Sequence, residues 1–437
     1  MEEPSGGPGA ARGALILEVW RKNLYLLWGT QFLAMLGMNL VVPFLPFYVR
    51  ELGVSSESDV AMWSGAAFSA SFFSAFFATP FWGKLGDRYG RKAMVVRAIF
   101  GLAASQVLIG VSQNVSQLVL FRLLQGAISG FIASALALVS TITPRKSIGY
   151  ALGFLQSSTA AGMVLGPPVG GFLADTIGYR DIFFVTAALC ALGGFVVAAK
   201  VTEAPRTASD GRSYTVLENY RFMFQNPHLR IVGISLVVAQ MAVLMIEPVF
   251  ALFIESFKTD TRYISTLAGV IFSISGIFMI ISAPWWGKRS DTIGHRKNLS
   301  FALAGASAAY AGHIIVGSLA QLGVLRAFLG FARGAILPGL YSLASLHAPS
   351  ERRGGIMAIA SSLTLLGNTT GPLVGGFVAS RFGIRTSFVA TSITLLFLST
   401  FLWKSLEDKR KEIGHVSHPP EVPDIHSHSE KKPSLPL

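Results

Sequence analysis

One acidic residue lies well inside a long apolar stretch of the chain. Glu247 stands beside Pro248 in the run 230–254, and no other acidic residue lies as deep in an apolar run. A carboxyl group held away from water can take up and release a proton near neutral pH, which makes Glu247 a candidate proton carrier. The alternative is a hydrated carboxylate near the end of the run, paired with a base such as Arg122.

A basic residue also lies inside an apolar run. Arg122 opens the sequence Arg-Leu-Leu-Gln-Gly, and Gln125 falls on the same face of a helix, three residues later. Arginine is costly inside a membrane and usually marks a functional position. The alternative is a side chain that extends to the nearby membrane surface.

The stretch 83–92 combines glycines, basic residues and one acid. Its glycines permit a tight turn between two helices, and its basic residues favour one side of a membrane. A purely topological role leaves the acid unexplained. The residues of interest in this stretch are Gly83, Asp87, Arg88, Gly90 and Arg91.

A second motif places glycines four residues apart around a proline. Such glycines form one smooth helical face that lets another helix approach closely, and the proline kinks the helix. Generic close packing is the simplest interpretation. The motif consists of Gly162, Gly166, Pro167, Gly170 and Gly171.

Other polar side chains in the apolar runs could line a substrate cavity. Arg333 could be a counter-ion to Glu247 or to an anionic substrate, whereas His313 is more typical of hydrogen-bonded structure than of a proton relay. An apolar, adaptable wall could come from Phe44, Phe47, Phe68, Phe72, Met241, Met245 and Phe250. The candidate cavity residues are Gln31, Asn39, Gln125, Gln156, Gln240, Arg333, Tyr341 and Asn368.

The sequence does not indicate an enzyme, a cofactor or a metal site. It has no Gly-x-x-x-x-Gly-Lys-Ser/Thr loop for ATP, and its single cysteine, Cys190, allows neither an internal disulfide nor a cysteine-based metal site. Four histidines near the C-terminus could bind a transition metal weakly, but we favour a solvated tail with no role in transport. They are His415, His418, His426 and His428.

The elements that hold these residues are long apolar runs. The 437-residue chain is 51% hydrophobic and only 14% charged, too little charge to cover a soluble protein of this size. The runs are long enough for membrane helices and too uniformly apolar for barrel strands. The expected fold is an all-α integral membrane protein with twelve transmembrane helices in two six-helix bundles, at 24–49, 61–82, 93–112, 117–140, 148–174, 182–199, 230–254, 264–286, 298–318, 321–346, 354–379 and 385–403.

The basic residues assign the orientation and the domains. The net charge of +13 is spread over short loops, which argues against nucleic-acid binding and places the richest loops, such as those with Lys84 and Lys288, inside. Both termini are then cytoplasmic, in a multi-pass protein of the inner (plasma) membrane. The expected domains are a cytoplasmic tail (1–23), two bundles (24–199 and 230–403), a cytoplasmic linker with an interfacial helix (200–229) and a disordered cytoplasmic tail (404–437).

An internal repeat supports the two bundles. Trp82 and Asp87 recur as Trp286 and Asp291, 204 residues later, although His295 stands where the first copy has Arg91. The glycine–proline motif recurs 205 residues later as Gly367, Gly371, Pro372, Gly375 and Gly376. Six helices lie between the copies, so both have the same topology, as in two-lobed transporters.

Residues 20 to 405 resemble the major facilitator superfamily, and within it the twelve-helix drug–proton antiporters. The resemblance implies that Arg122 takes part in proton coupling and that the glycine–proline motif acts as the antiporter hinge. It also implies that Asp87 is a conformational latch at the N-terminus of the eleventh helix, formed when the cytoplasmic side is closed. Many relatives carry an acid in the first helix, where this chain has only Gln31 and Asn39.

We therefore predict a proton-coupled antiporter that exports small amphipathic compounds or drugs by alternating access. Its expected partners are protons, a small-molecule substrate and membrane lipid, with no nucleic acid, and the expected state is a monomer. Two alternatives remain open at this point. One is a dedicated exporter of a single metabolite such as a siderophore, and the other is a non-transporting membrane sensor or scaffold on the same fold.

Overall fold

The computed structural model describes residues 8–128, 130–144, 147–203, 215–257 and 263–405, including their side chains except those of 8–19 and Asp87. That part of the chain is helical, with short 3-10 helices at Val42–Phe44 and Glu247–Val249. The α-helices are α1 (Pro8–Val41), α2 (Leu45–Glu51), α3 (Glu57–Tyr89), α4 (Arg91–Gly110), α5 (Val115–Ile128), α6 (Phe131–Ile142), α7 (Ile148–Ile177), α8 (Tyr179–Lys200), α9 (Val216–Gln225), α10 (Pro227–Leu244), α11 (Phe250–Glu255), α12 (Ile264–Ile293), α13 (His295–Ile315), α14 (Leu319–Arg333), α15 (Ile336–His347), α16 (Arg353–Phe382) and α17 (Ile384–Ser405).

Twelve helical segments cross the membrane. Ten are long and apolar enough by composition alone. The other two, α13 and α16, have 21 and 30 residues, which is long enough to span a bilayer, but glycine, serine and threonine lower their apolar content. The prediction of an all-α membrane fold with twelve transmembrane helices is confirmed.

Four of the twelve segments are broken near a proline or glycine, where one unbroken helix was predicted. The two parts of each broken segment are α1 and α2, α5 and α6, α10 and α11, and α14 and α15. Pro43 and Pro248 stand in the two 3-10 breaks and provide no backbone N–H for a continuing helix. Gly130 has a φ of +111° and begins α6. The breaks recur at matching places in both halves, so they belong to the repeat.

Several helices extend beyond the predicted apolar runs. The stretch 83–92 was predicted as a glycine-rich turn, but α3 continues to Tyr89 and α4 begins at Arg91. Only Gly90, with a φ of +102°, breaks the helix there. The prediction was wrong because it followed hydropathy, and polar residues remain helical where the chain leaves the lipid.

The helices form two lobes that meet along two seams. The N-lobe contains α1–α8 and the C-lobe contains α10–α17. The α3–α16 seam and the α7–α12 seam join them. At both seams the helices touch backbone to backbone, because a side chain at Gly65 would collide with the Pro372 carbonyl and one at Gly171 with the Ser265 carbonyl.

The amphipathic helix α9 belongs to the C-lobe. Its buried residue Met223 packs beside Gly233 of α10, and Asn219 lies against Gly355 of α16. The opposite face carries Leu217, which is exposed. Thr215 and Glu218 form a reciprocal N-terminal capping box that fixes where the helix begins. The predicted linker 200–229 thus contains the end of α8, all of α9 and the start of α10.

Candidate functional site

Glu247 lies at the break between α10 and α11. It is the first residue of the 3-10 helix Glu247–Val249, and this short helix contacts α3 and the 3-10 helix Val42–Phe44 of the N-lobe. Its side chain is neither fully buried nor exposed. Irregular backbone at membrane depth is tolerated where protein covers it or where it lines a cavity. The break therefore places Glu247 on a backbone segment of the C-lobe that contacts the N-lobe.

Two arginines of α14 provide the charge around Glu247. Arg333 and Arg326 both act on its carboxylate electrostatically, Arg333 more strongly. Neither arginine makes an ion pair with it, because Arg50–Glu255 is the one pair within 4.0 Å among the described residues. The structure therefore places Arg333 where the sequence predicted a counter-ion, but beyond direct contact.

Sequence reasoning did not select Arg326 as a functional residue. Its side chain is 3% exposed, and its guanidinium carbon lies 4.2 Å from the centre of the Phe250 ring and 5.1 Å from that of Phe272. It also donates to the Phe272 carbonyl at 3.3 Å. Aromatic faces stabilise a desolvated cation. The sequence signal that could have identified Arg326 is its match to Arg122 in the internal repeat.

Arg122 lies in the N-lobe and is not among the charges that act on Glu247. It is buried, so its side chain does not extend to the membrane surface, and it donates to Gln125 at 3.4 Å. Ser71 of α3 donates to the same Gln125 oxygen at 3.4 Å. The alternative pairing of Glu247 with Arg122 is wrong, because Arg50–Glu255 is the one ion pair within 4.0 Å among the described residues.

The glycine–proline motif lies on α7 and presents two faces. A side chain added at Gly162, Gly166 or Gly170 would collide with α1. Gly171 faces α12 instead, and the Pro167 carbonyl touches Gly269 of α12. The copy on α16 repeats this arrangement, with Gly367, Gly371 and Gly375 against α10 and Gly376 against α3. In both copies, therefore, one face of the motif packs on a helix of the same lobe and the other face packs on a helix of the other lobe.

The latch motif lies at the α3–α4 junction. Gly83 has open space beside it, and Arg88 is exposed, with its guanidinium carbon 5.5 Å from the Tyr89 ring centre. Arg91 donates to the Ala137 carbonyl and to the Ser140 hydroxyl of α6. The side chain of Asp87, on which the latch prediction rests, lies outside the described residues.

Glu203 is a further residue of this junction that the sequence did not reveal. Its carboxylate accepts from the backbone N–H groups of Arg91 at 2.8 Å and Lys92 at 3.0 Å. It lies against Gly90, where a side chain would meet a carboxylate oxygen at 3.0 Å. The α4 N-terminus is thus capped by a residue far away in sequence, which no local pattern predicts.

Each lobe has a cavity beside its copy of the latch motif, at the α3–α4 junction in the N-lobe and at the α12–α13 junction in the C-lobe. The N-lobe cavity of about 220 Å³ is lined by residues that include Trp82, Gly86 and Arg91. The C-lobe cavity of about 250 Å³ contains Asp291 and His295 among its lining residues. The repeat therefore extends to the shape of the surface, while its chemistry differs between copies.

The candidate cavity residues do not all face open space. Gln31 is fully buried and donates to the Leu155 carbonyl and to Thr159 of α7, and Gln125 is 3% exposed. These two are structural contacts within the N-lobe, since each polar side chain found a partner on a neighbouring helix. Asn39 donates to its own helix at Met35, and Tyr341 pairs with Thr364. Partly exposed positions are Gln240, Arg333 and Asn368, and Gln156 is exposed.

The predicted apolar wall is mostly packed core. The buried members are Phe44, Phe47, Phe68, Met245 and Phe250, and only Phe72 and Met241 are partly exposed. His313 is fully buried, with Nδ1 on the Ala309 carbonyl at 2.7 Å, and its ring stacks on Phe388. The four tail histidines lie outside the described residues.

Comparison with known proteins decides the family. A family model described as Major Facilitator Superfamily matches residues 27–323 and 249–423. The chain belongs to the major facilitator superfamily. It is therefore a multi-pass membrane transporter and not an enzyme.

Relatives and solved structures agree with this assignment. The chain is 36% identical over 399 residues to the multidrug resistance protein MdtG of Proteus mirabilis, covering 90% of this chain and 98% of that protein. It is equally identical over 400 residues to MdtG of Escherichia coli (strain K12), covering 91% and 97%. Among solved structures, an inward-facing bacterial homologue of the human lysosomal transporter Spinster aligns with a TM-score of 0.73, 15% identity and coverage of 88% and 96%. The nucleoside transporter NupG aligns with a TM-score of 0.73, 16% identity and coverage of 87% and 99%.

Proposed function

We propose that this transporter is a proton-coupled antiporter that exports small amphipathic compounds, including drugs, by alternating access. The observation that carries the proposal is the position of Glu247 at a helix break that contacts the N-lobe, within the electrostatic range of two arginines of its own lobe. The multidrug resistance name of relatives at 36% identity supports export of drugs. Membrane lipid, protons and the compound itself are the proposed partners of a monomer.

The proposed cycle alternates two charge states of Glu247. A proton taken up from outside neutralises the carboxylate, weakens substrate binding and permits return to the inward-facing state. Release of the proton inside restores the charge and the affinity for the next substrate molecule. One elementary charge moving across 100 mV yields about 2.3 kcal/mol, roughly a fifty-fold gradient of a neutral solute.

The broken helices suit such a cycle. Backbone N–H and C=O groups left unpaired at a break can form hydrogen bonds with protein, with water or with a ligand. Glu247 and Arg333 both lie at breaks, at the start of one 3-10 helix and at the end of α14. A proton on Glu247 changes the field at Arg333, so protonation can alter how Arg333 holds a substrate without direct contact between them.

The motif residues have proposed roles in the same cycle. Gly162, Gly166, Pro167, Gly170 and Gly171 form the hinge, since they join α7 both to α1 and to the other lobe. The junction of Gly83, Asp87, Arg88, Gly90 and Arg91 is the latch of the cytoplasmic side. Arg122 donates to Gln125, which also accepts from Ser71, and it contributes to proton coupling from the N-lobe. We propose that the protein lies in the cell's inner (plasma) membrane and that both of its termini are cytoplasmic.

Transport assays test the proposal directly. A compound-sensitivity panel on a deletion strain first identifies an exported compound, and its efflux is then measured with and without a proton uncoupler. We expect the uncoupler to abolish efflux by the wild type, and Glu247→Gln to lose uphill efflux. Full efflux by the mutant and by uncoupled cells would end the proposed mechanism.

A dedicated exporter of one anionic metabolite, such as a siderophore, is the second candidate. It is favoured by the two arginines on α14 that accompany a single carboxylate, because the excess positive charge suits an anionic ligand. Analysis of the medium of the deletion strain distinguishes the two. Loss of one secreted anion, with unchanged sensitivity to the whole compound panel, would favour the metabolite exporter.

A further inference from the structure

Polar contacts that bridge the lobes concentrate at one end of the α7–α12 seam. This end is called the predicted outer side and comprises the ends of α7 and α11 with the starts of α8 and α12. Asp175 of α7 accepts from the backbone N–H groups of Ser265 at 3.2 Å and Thr266 at 2.8 Å, and from the Thr266 hydroxyl at 2.7 Å. Tyr179 bonds to the Ser265 hydroxyl at 2.9 Å.

These bonds cap a helix that begins in the other lobe. The helix α12 begins at Ile264, so the N–H groups of Ser265 and Thr266 have no partner within their own helix. A carboxylate at a helix N-terminus also interacts favourably with the helix dipole. Hydrogen bonds to a charged acceptor are about twice as strong as neutral ones. The N-lobe therefore supplies the cap that α12 lacks.

Among the side chains that the structure describes, none caps a helix across the α3–α16 seam in this way. Ser380 stands 205 residues after Asp175 in the repeat and donates to the Phe377 carbonyl of its own helix. Ala61 and Met62 stand where α12 has Ser265 and Thr266, one turn inside α3, which begins at Glu57. Among the described residues, no side-chain hydrogen bond crosses this seam. The two seams thus share glycine packing and differ in polar bonding.

One further contact bridges the lobes at the same end. Arg50 of α2 donates to both carboxylate oxygens of Glu255 of α11 at 2.8 Å. Their side chains are 30% and 43% exposed, and exposed ion pairs contribute little. The Asp175 carboxylate accepts from three donors, whereas the ion pair rests on a single guanidinium nitrogen.

We propose that Asp175, with Tyr179, is the latch that holds the predicted outer side shut, and that this latch resides on the α7–α12 seam alone. The inference rests on the proposed alternating access, because a latch has meaning only if the lobes separate there. Opening requires the carboxylate to leave the N-terminus of α12 while the Tyr179 hydroxyl leaves Ser265. The open state then exposes the N–H groups and the hydroxyl groups of Ser265 and Thr266 to water or to a ligand.

A thiol reporter measures this opening without any transport. Ser273 of α12 is 4% exposed and donates to the Val164 carbonyl of α7 at 2.6 Å, so it lies within the seam, and the native Cys190 is fully buried. In the full-length protein carrying Ser273→Cys, the rate of labelling by a water-soluble maleimide follows the fraction of time that the seam is open. Labelling of Cys190 reports unfolding of the N-lobe and is followed in parallel.

Asp175→Asn should raise the labelling rate at the reporter by about 2- to 30-fold, the range expected when a helix cap is lost. Thr266→Val and Tyr179→Phe should raise it less, because each removes one hydrogen bond. Ser380→Ala, the matched control on the other seam, should leave the rate unchanged. Cys190 should stay unreactive in every variant.

An unchanged rate in Asp175→Asn, or an equal rise in Ser380→Ala, would overturn the latch. If Asp175→Asn exposes Cys190, the milder Thr266→Val and Tyr179→Phe decide by the same criterion. The outcome is independent of the uncoupler assay, since labelling reads conformation and needs neither protons nor a substrate. A shifted labelling rate with uncoupler-insensitive efflux would keep the latch and remove the proton coupling.

Discussion

The guanidinium carbon of Arg97 lies 3.5 Å from the centre of the Trp82 ring. Arg97 also donates to the Ile128 carbonyl, at the end of α5, and the Trp82 indole N–H donates to the neighbouring Ala127 carbonyl at 2.7 Å. These two side chains therefore satisfy carbonyl groups that the break between α5 and α6 leaves unpaired. In the C-lobe Trp286 makes the same bond to Phe331 at 2.7 Å, with Phe301 where Arg97 would be.

Replacing Arg97 should destabilise the N-lobe measurably. Arg97→Leu removes a half-buried cation–π contact of about 1–2 kcal/mol and a hydrogen bond of about 1 kcal/mol. Thermal unfolding in detergent, followed by circular dichroism, measures the loss. The control is Arg289→Leu, whose guanidinium carbon lies 5.1 Å from the ring centre of the exposed Trp285 and should matter far less. Equal effects of the two changes would contradict the bracing role of Arg97.

Two glycines of α7 should respond in opposite ways to alanine. Gly170→Ala forces a methyl group against the Leu40 carbonyl of α1, which should cost about 1–3 kcal/mol. Gly153→Ala meets nothing within 4 Å and should gain about 0.5–1 kcal/mol from the better helix propensity of alanine. Thermal midpoints of the two variants, compared with the wild type, check the sign of each change. A stabilising Gly170→Ala would show that α1 and α7 do not pack this closely.

The carboxylate of Glu203 should hold the start of α4. Glu203→Gln keeps the shape but loses the charge that accepts from two backbone N–H groups, so we expect a loss of about 0.5–2 kcal/mol. Hydrogen exchange at the first turn of α4 should also accelerate. Glu255→Gln, which removes an exposed ion pair, serves as a control and should leave exchange in α4 unchanged. Unaltered exchange in Glu203→Gln would contradict the cap.

Charge balance in the C-lobe predicts that a second substitution restores thermal stability lost in Glu247→Gln. Glu247→Gln leaves the arginines of α14 without the carboxylate that acts on them from a distance, so the thermal midpoint should fall. Adding Arg333→Gln should recover much of the lost thermal stability, because Arg333 is the stronger of the two charges on Glu247. Adding Arg122→Gln instead should recover none, since Arg122 does not act on Glu247. Recovery by both second changes would argue against a local charge pair.

Much of the architecture was predictable from the chain alone. Apolar length gave the twelve membrane helices, and the recurrence of Trp82 and of the glycine–proline motif gave two equivalent lobes. Neither signal locates a helix break. The residues before and after Gly130, for example, are equally apolar, so hydropathy does not change where the helix is interrupted. Hydropathy also underestimates helix length at the membrane surface, as at Tyr89, where α3 ends in polar sequence.

The site was less predictable than the fold. Glu247 and Arg333 were selected because charges inside an apolar run are rare, and the structure places them in one lobe. Gln31 and Gln125 were selected on the same reasoning but bond to neighbouring helices, since polarity alone does not tell a ligand contact from a packing contact. Asp175 and Glu203 were missed because each caps a helix that is distant in sequence.

The attachment of α9 to the C-lobe has a practical consequence for dissecting the chain. Glu203 bonds to the start of α4 in the N-lobe, whereas α9, which begins just after Thr215, packs on α10 and α16 of the C-lobe. Residues 203 and 215 therefore belong to different lobes. Two separately expressed polypeptides, divided between 203 and 215, should find one another in the bilayer through their glycine-lined surfaces.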